Sequence, residues 1–122
     1  MKTTRLLLCV VVLLLPFDLS AAASRTGQIV FSSNRSGAWR IWTINADGSQ
    51  LRQITKQDGD ELDVDPVFSP DGKAILFTST RGGKAGVWRM ATDGSKPERI
   101  CEGDQAEWSP DGKQIAFRRN ER

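Results

Sequence analysis

Short apolar runs separated by polar turns recur along this chain at intervals that repeat. Gln28-Ile29-Val30-Phe31-Ser32-Ser33 and Ala74-Ile75-Leu76-Phe77-Thr78-Ser79 carry matching apolar triplets, and Gln114-Ile115-Ala116-Phe117-Arg118 is a third version. A second run, Trp39-Arg40-Ile41-Trp42-Thr43-Ile44, returns as Ala85-Gly86-Val87-Trp88-Arg89-Met90. Runs of four to eight residues bounded by Gly, Pro, Asp and Asn predict β-strands. The triplets do not alternate cleanly between apolar and polar, which predicts strands covered on both faces. Shorter strands follow at Gln50-Leu51-Arg52-Gln53-Ile54 and Pro97-Glu98-Arg99-Ile100, and two more end at Phe68 and Trp108.

The turns repeat as well. Phe68-Ser69-Pro70-Asp71-Gly72-Lys73 aligns without a gap on Trp108-Ser109-Pro110-Asp111-Gly112-Lys113, and the strands that follow align too. Proline presets its dihedral, aspartate bonds its own backbone, and glycine takes the positive φ of a tight hairpin. Ser69, Pro70, Asp71, Gly72, Ser109, Pro110, Asp111 and Gly112 are therefore read as a structural turn motif. Asp47-Gly48 and Asp93-Gly94 turn the chain into the fourth strand of each unit. Phe31 and Phe77 lie 46 positions apart, as do Trp42 and Trp88, while Phe77 and Phe117 lie 40 apart. The six-residue difference falls in the acidic loop Lys56–Asp63. An antiparallel four-stranded unit of about 40–45 residues has the period of a propeller blade.

These motifs resemble the TolB-like, WD40-like β-propeller repeat of the PD40 type. The Trp/Phe-Ser-Pro-Asp-Gly-Lys turn, Ile-x-Phe, Ser-x-Arg and the later Asp-Gly carry the resemblance, which spans nearly all of residues 27–118. The Gly-His and Trp-Asp dipeptides of WD40 repeats themselves are absent. The expected fold is all-β, with three strands of one blade, four of a second and two of a third, roughly two and a quarter blades. Closed propellers use about 4–8 blades, so one copy does not close a ring. Open strand edges recruit partners, which makes self-association an expectation, and a truncated or fragmentary origin is preferred to a dedicated oligomer.

The N-terminus changes the picture. Met1–Arg5 is basic, Leu6–Phe17 is a 12-residue apolar run, and small residues stand at Ala21 and Ala23. That order predicts a signal peptide over residues 1–23, cut between Ala23 and Ser24, ahead of repeats over 24–122. Twelve residues make a helix of about 18 Å, short of the roughly 30 Å hydrocarbon core, so no membrane span is expected after cleavage. The expected location is periplasmic or secreted. Removing the leader lowers the net charge from +2 to +1, which offers no clustered basic face for nucleic acid. It also leaves Cys101 as the single cysteine, read as a small buried hydrophobe.

Chemistry is sparse. The chain has no histidine, which removes Ser-His-Asp and Cys-His systems and the commonest zinc ligand. No Gly-x-Ser-x-Gly elbow, glycine-rich phosphate loop or Cys-x-x-Cys occurs. No catalytic residue and no cofactor are assigned. The acidic loop supplies the one metal candidate, with Asp58, Asp60 and Asp63 as calcium ligands, against the plainer reading of a solvated insertion. Trp42, Trp88 and Trp108 are read as packing between blades and Trp39 as exposed. Asn34-Arg35-Ser36 is a glycosylation sequon in a surface loop. The resemblance implies a non-enzymatic exported module that contacts proteins of the cell envelope, a peptidoglycan-associated lipoprotein among them. The alternative is the N-terminal part of a propeller-containing enzyme, a peptidase, other hydrolase or lyase, with its catalytic portion elsewhere.

Overall fold

The computed structural model describes residues 27–119. The leader over residues 1–23 and its junction between Ala23 and Ser24 lie outside the described residues. Within them the chain forms nine strands: β1 (Gln28–Ser33), β2 (Arg40–Asn45), β3 (Arg52–Gln53), β4 (Asp63–Phe68), β5 (Ala74–Ser79), β6 (Gly86–Ala91), β7 (Glu98–Glu102), β8 (Asp104–Trp108) and β9 (Ile115–Arg118). They pair only with sequence neighbours, in antiparallel sheets ordered β1-β2-β3, β4-β5-β6-β7 and β8-β9. This is the expected partition of three, four and two strands. The all-β fold follows, with no helix among the described residues long and apolar enough to cross a membrane.

Each hairpin has a local cause. In Ser69–Ala74 the Ser69 hydroxyl donates to Asp71 Oδ1 (2.6 Å) and accepts from the Ala74 amide (3.0 Å), while the Lys73 amide donates to Asp71 Oδ1 (3.0 Å). Ser109, Asp111, Lys113 and Gln114 reproduce these bonds at 2.6, 2.9 and 3.0 Å. Gly72 and Gly112 hold φ of 71° and 70°, which a Cβ would resist. The register is equally repetitive: Phe31 stands opposite Trp42, and Phe77 opposite Trp88.

The three sheets stack face to face, and two apolar clusters fill the spaces between them. Ile41, Ile54, Ile75, Phe77 and Met90 form the first, with Val30, Phe68 and Trp88 against it. Leu76, Val87 and Ala106 form the second, with Val67, Cys101, Trp108 and Ile115 alongside. Successive side chains of a strand point to opposite faces. Ile75 and Phe77 of β5 therefore fill one space and Leu76 the other. That is why an unbroken apolar triplet is correct for β5, which is buried at every position.

Some expectations shift. β3 is two residues long rather than five, because Gln50 holds a left-handed φ of 53° and the Ile41 amide takes the Thr55 hydroxyl in place of a ladder carbonyl. β7 starts one residue later than expected and runs on to Glu102. Cys101 is half-buried, since it lies on that outer strand with one face against Val87. The triplet of β1 is not covered on both faces: Ile29 is 51% exposed, against 0% for its counterpart Ile75.

Candidate functional site

The polar groups that the fold gathers lie where the start of β2, the start of β4, the end of β5 and the loop between β3 and β4 meet. The acidic loop there is organised by Arg40, whose side chain is almost wholly buried. Its Nη1 donates to the Trp39 carbonyl (2.9 Å) and to that of Glu61, and its Nη2 to those of Gln57 (3.0 Å) and Gly59 (2.8 Å). A buried guanidinium demands such acceptors, and a polar loop needs its carbonyls satisfied. The counterpart of Arg40 in the next unit is Gly86, where a Cβ would come within 2.7 Å of Arg99 Nε. The long loop and the arginine occur together in one unit, and the short loop and the glycine in the other. The insertion is thus a packed part of the blade.

Asp63, fully buried, closes the same corner. Arg81 Nη2 donates to both of its oxygens at 3.0 Å, and Gln57 Nε2 donates to Oδ2 at 2.6 Å. Arg81 also donates from Nε to Ser79 Oγ (3.0 Å), and its guanidinium lies over Phe77 (5.3 Å) and Trp88 (5.1 Å). A planar guanidinium that reaches a carboxylate, a hydroxyl and two ring faces at once uses the chemistry that distinguishes arginine from lysine. The metal candidates do not come together. Asp63 faces inward onto Arg81, whereas Asp58 and Asp60 stand in solvent. Among the described residues no group of three or more acidic or cysteine side chains is placed to hold a metal ion.

Elsewhere the aspartates are turn formers. Serine hydroxyls beside Asp47, Asp71, Asp93 and Asp111 hold those carboxyls below their ordinary 3.8, with backbone amides adding to the effect. Asp104 is lowered by the guanidinium of Arg118, whose Nε lies 2.7 Å away. Trp42, Trp88 and Trp108 are partly buried, and Trp88 and Trp108 pack against the clusters between sheets. Trp39 is exposed, and so are Asn34, Arg35 and Ser36 of the sequon. The sequence reading missed the arginine stacks, although Ser-x-Arg recurs at Ser33-Asn34-Arg35 and Ser79-Thr80-Arg81. That spacing was the available signal.

The comparisons agree with this architecture. The TolB β-propeller domain family, PD40, matches residues 20–122. The Tol-Pal system protein TolB of Geobacter metallireducens is 42% identical over 50 residues, covering 41% of this chain and 11% of that protein. A TolB structure from Agrobacterium tumefaciens superposes with a TM-score of 0.67 at 29% identity, over 74% of this chain and 33% of the other. TolB from Acinetobacter baumannii gives a TM-score of 0.62 at 27% identity, over 74% of this chain and 23% of the other. The chain thus spans a third or less of the length of each of these relatives.

Proposed function

The chain belongs to the PD40 family of TolB β-propeller domains, and we propose that it works as a non-enzymatic module that contacts proteins in the periplasm or cell envelope after export. The family match supports this reading most directly, and the Geobacter relative is by its own description a component of the Tol-Pal system. The use of the polar residues points the same way. The buried ions and most turn aspartates of the described region are engaged in holding loops, and what the blades offer outward is surface. Ile29, Trp39, Leu51, Leu62, Ile100 and Phe117 are large apolar side chains standing in solvent. Aromatic and aliphatic groups of this kind anchor protein contacts when they are desolvated by a partner.

Export and contact are tested separately. Expressed in a Gram-negative host, the full chain should be released by osmotic shock with Ser24 at its N-terminus. Recovery in the cytosol with Met1 intact would overturn the exported part. Photocrosslinkers at the exposed Ser36 and Arg119, close in the chain to Trp39 and Phe117, should trap envelope proteins in living cells, and the adducts should vanish when Trp39→Asp or Phe117→Asp removes the apolar group. Adducts formed equally well by those variants would overturn the contact part.

A further inference from the structure

The geometry points to the free edge of β1 as an acceptor for an extended acidic segment of a partner polypeptide. β1 is the terminal strand of its sheet, with only β2 paired to it among the described residues. Its counterparts do not stand at an edge on that side: β5 carries β4 there, and β9 carries β8. The repeat therefore supplies a template for what would fit. On β5 the incoming strand sets Asp63 opposite Ser79, passes a bulge at Asp65, and sets Phe68 opposite Ile75. Transferred to β1, the segment would place a carboxylate opposite Ser33 and, five residues on, an aromatic ring opposite Ile29.

The receptor for that carboxylate is already assembled. Arg35 lies over Phe31 at 5.3 Å and Trp42 at 5.1 Å, the same distances that Arg81 keeps to Phe77 and Trp88. Its Nε donates to Ser33 Oγ at 3.0 Å, as Arg81 Nε does to Ser79. In both units the same arginine amide also donates to that hydroxyl, at 3.3 and 3.2 Å. Arg81 spends its Nη2 on Asp63, whereas no ion pair of Arg35 occurs among the described residues. A guanidinium held by two rings and a hydroxyl loses little freedom on gaining a carboxylate, and preorganisation of this kind raises affinity. Backbone pairing along the strand would provide binding, and the arginine and the exposed Ile29 would set register and specificity, as in strand addition to other sheet edges. This deepens the proposed contact role by naming one partner chemistry, and its test does not depend on compartment.

The probe is a synthetic peptide with the sequence of residues 60–70, titrated into the full chain and followed by amide NMR. Saturable shifts should appear at Ile29, Phe31 and Ser33 and leave Ile75, Phe77 and Ser79 unmoved. Arg35→Ala should weaken binding by about tenfold or more, the range for a hydrogen bond to a charged group. A peptide carrying Asp63→Asn should lose a similar factor, and combining the two changes should add little further. Arg35 is exposed, so the variant should melt as the parent does. The proposal is overturned by absent or unsaturable binding, by shifts confined to β5, or by equal affinity for Arg35→Ala. Slow hydrogen exchange along the outer edge of free β1 would overturn it as well, since the edge would then already be filled.

Discussion

β5 and β1 carry nearly the same string, Ala-Ile-Leu-Phe-Thr-Ser and Gln-Ile-Val-Phe-Ser-Ser, each followed by an arginine two residues later. Both form six-residue strands with the same partner register, and both hold that arginine on the same two rings. Their burial is nevertheless opposed. β5 lies between a sheet on each face and a strand on each edge, while among the described residues β1 has a sheet on one face and a strand on one edge. Val30, which points toward the shared cluster, is packed, and Ile29, which points away, is exposed. Local pattern makes the strand, and position in the stack decides what its side chains contribute to stability.

The largest effect should come from the ring that one strand buries and the other leaves partly open. Phe77→Ala should cost about 3–5 kcal/mol, the usual range for a buried phenylalanine. Phe31→Ala should cost clearly less. Urea midpoints of the two variants measure the difference, and equal midpoints would break the comparison.

Next comes the arginine. Removing Arg81 strands the buried Asp63, and breaking such a pair costs about 3 kcal/mol or more. Arg35→Ala leaves no buried carboxylate behind among the described residues, so its melting temperature should stay near that of the parent. Asp63→Ala should match Arg81→Ala more closely than it matches Arg35→Ala, because the two partners share one buried contact. A large loss in Arg35→Ala would mean that β1 has a covering that the described residues do not supply.

A methylene tests the same contrast more finely. Ile75→Val should cost about 0.5–1.5 kcal/mol and Ile29→Val close to nothing, given 0% against 51% exposure. The smallest effect is a pH dependence common to the two units that carry the Ser-Pro-Asp-Gly turn. Asp71 and Asp111 have carboxyls lowered from 3.8 by their serine donors, so their contribution is complete above the ordinary carboxylate range. It is lost as pH falls through 3.8 toward the lower folded-state values. Asp71→Asn and Asp111→Asn should each flatten the acid limb of a melting-temperature profile, and by similar amounts. Asp71 and Asp111 are both solvent-exposed and make the same bonds, so this signal should not distinguish a central unit from a flanking one.

Much of the fold was legible because the relevant interactions are local. Ser69-Pro70-Asp71-Gly72 and Ser109-Pro110-Asp111-Gly112 close hairpins with bonds spanning at most five residues, and β1 and β5 match the runs read from the chain. Two features were not legible. The bulges at Asp65 and Gln105 hold φ of 52° and 51° with no glycine to announce them, and Gln50 and Lys96 repeat the same conformation at equivalent places. The sequence at those positions differs, and the surrounding pairing imposes the backbone. The acidic loop offered carboxylates at calcium-like density, yet the fold turns Asp63 inward onto Arg81 and ties the loop carbonyls to Arg40.

The sequence by itself determined the unit: strands, hairpins and the order of four antiparallel segments, since turn chemistry and apolar runs act over a few residues. Only the tertiary structure decided which copies of the unit are buried, which carboxylate meets which guanidinium, and where, among the described residues, an edge has no paired strand. Those outcomes depend on the sheet next door, across distances in the chain of 18 residues for Asp63 and Arg81 and more for the packed clusters. A repeat writes the same residues into each copy, and stacking then gives each copy a different environment.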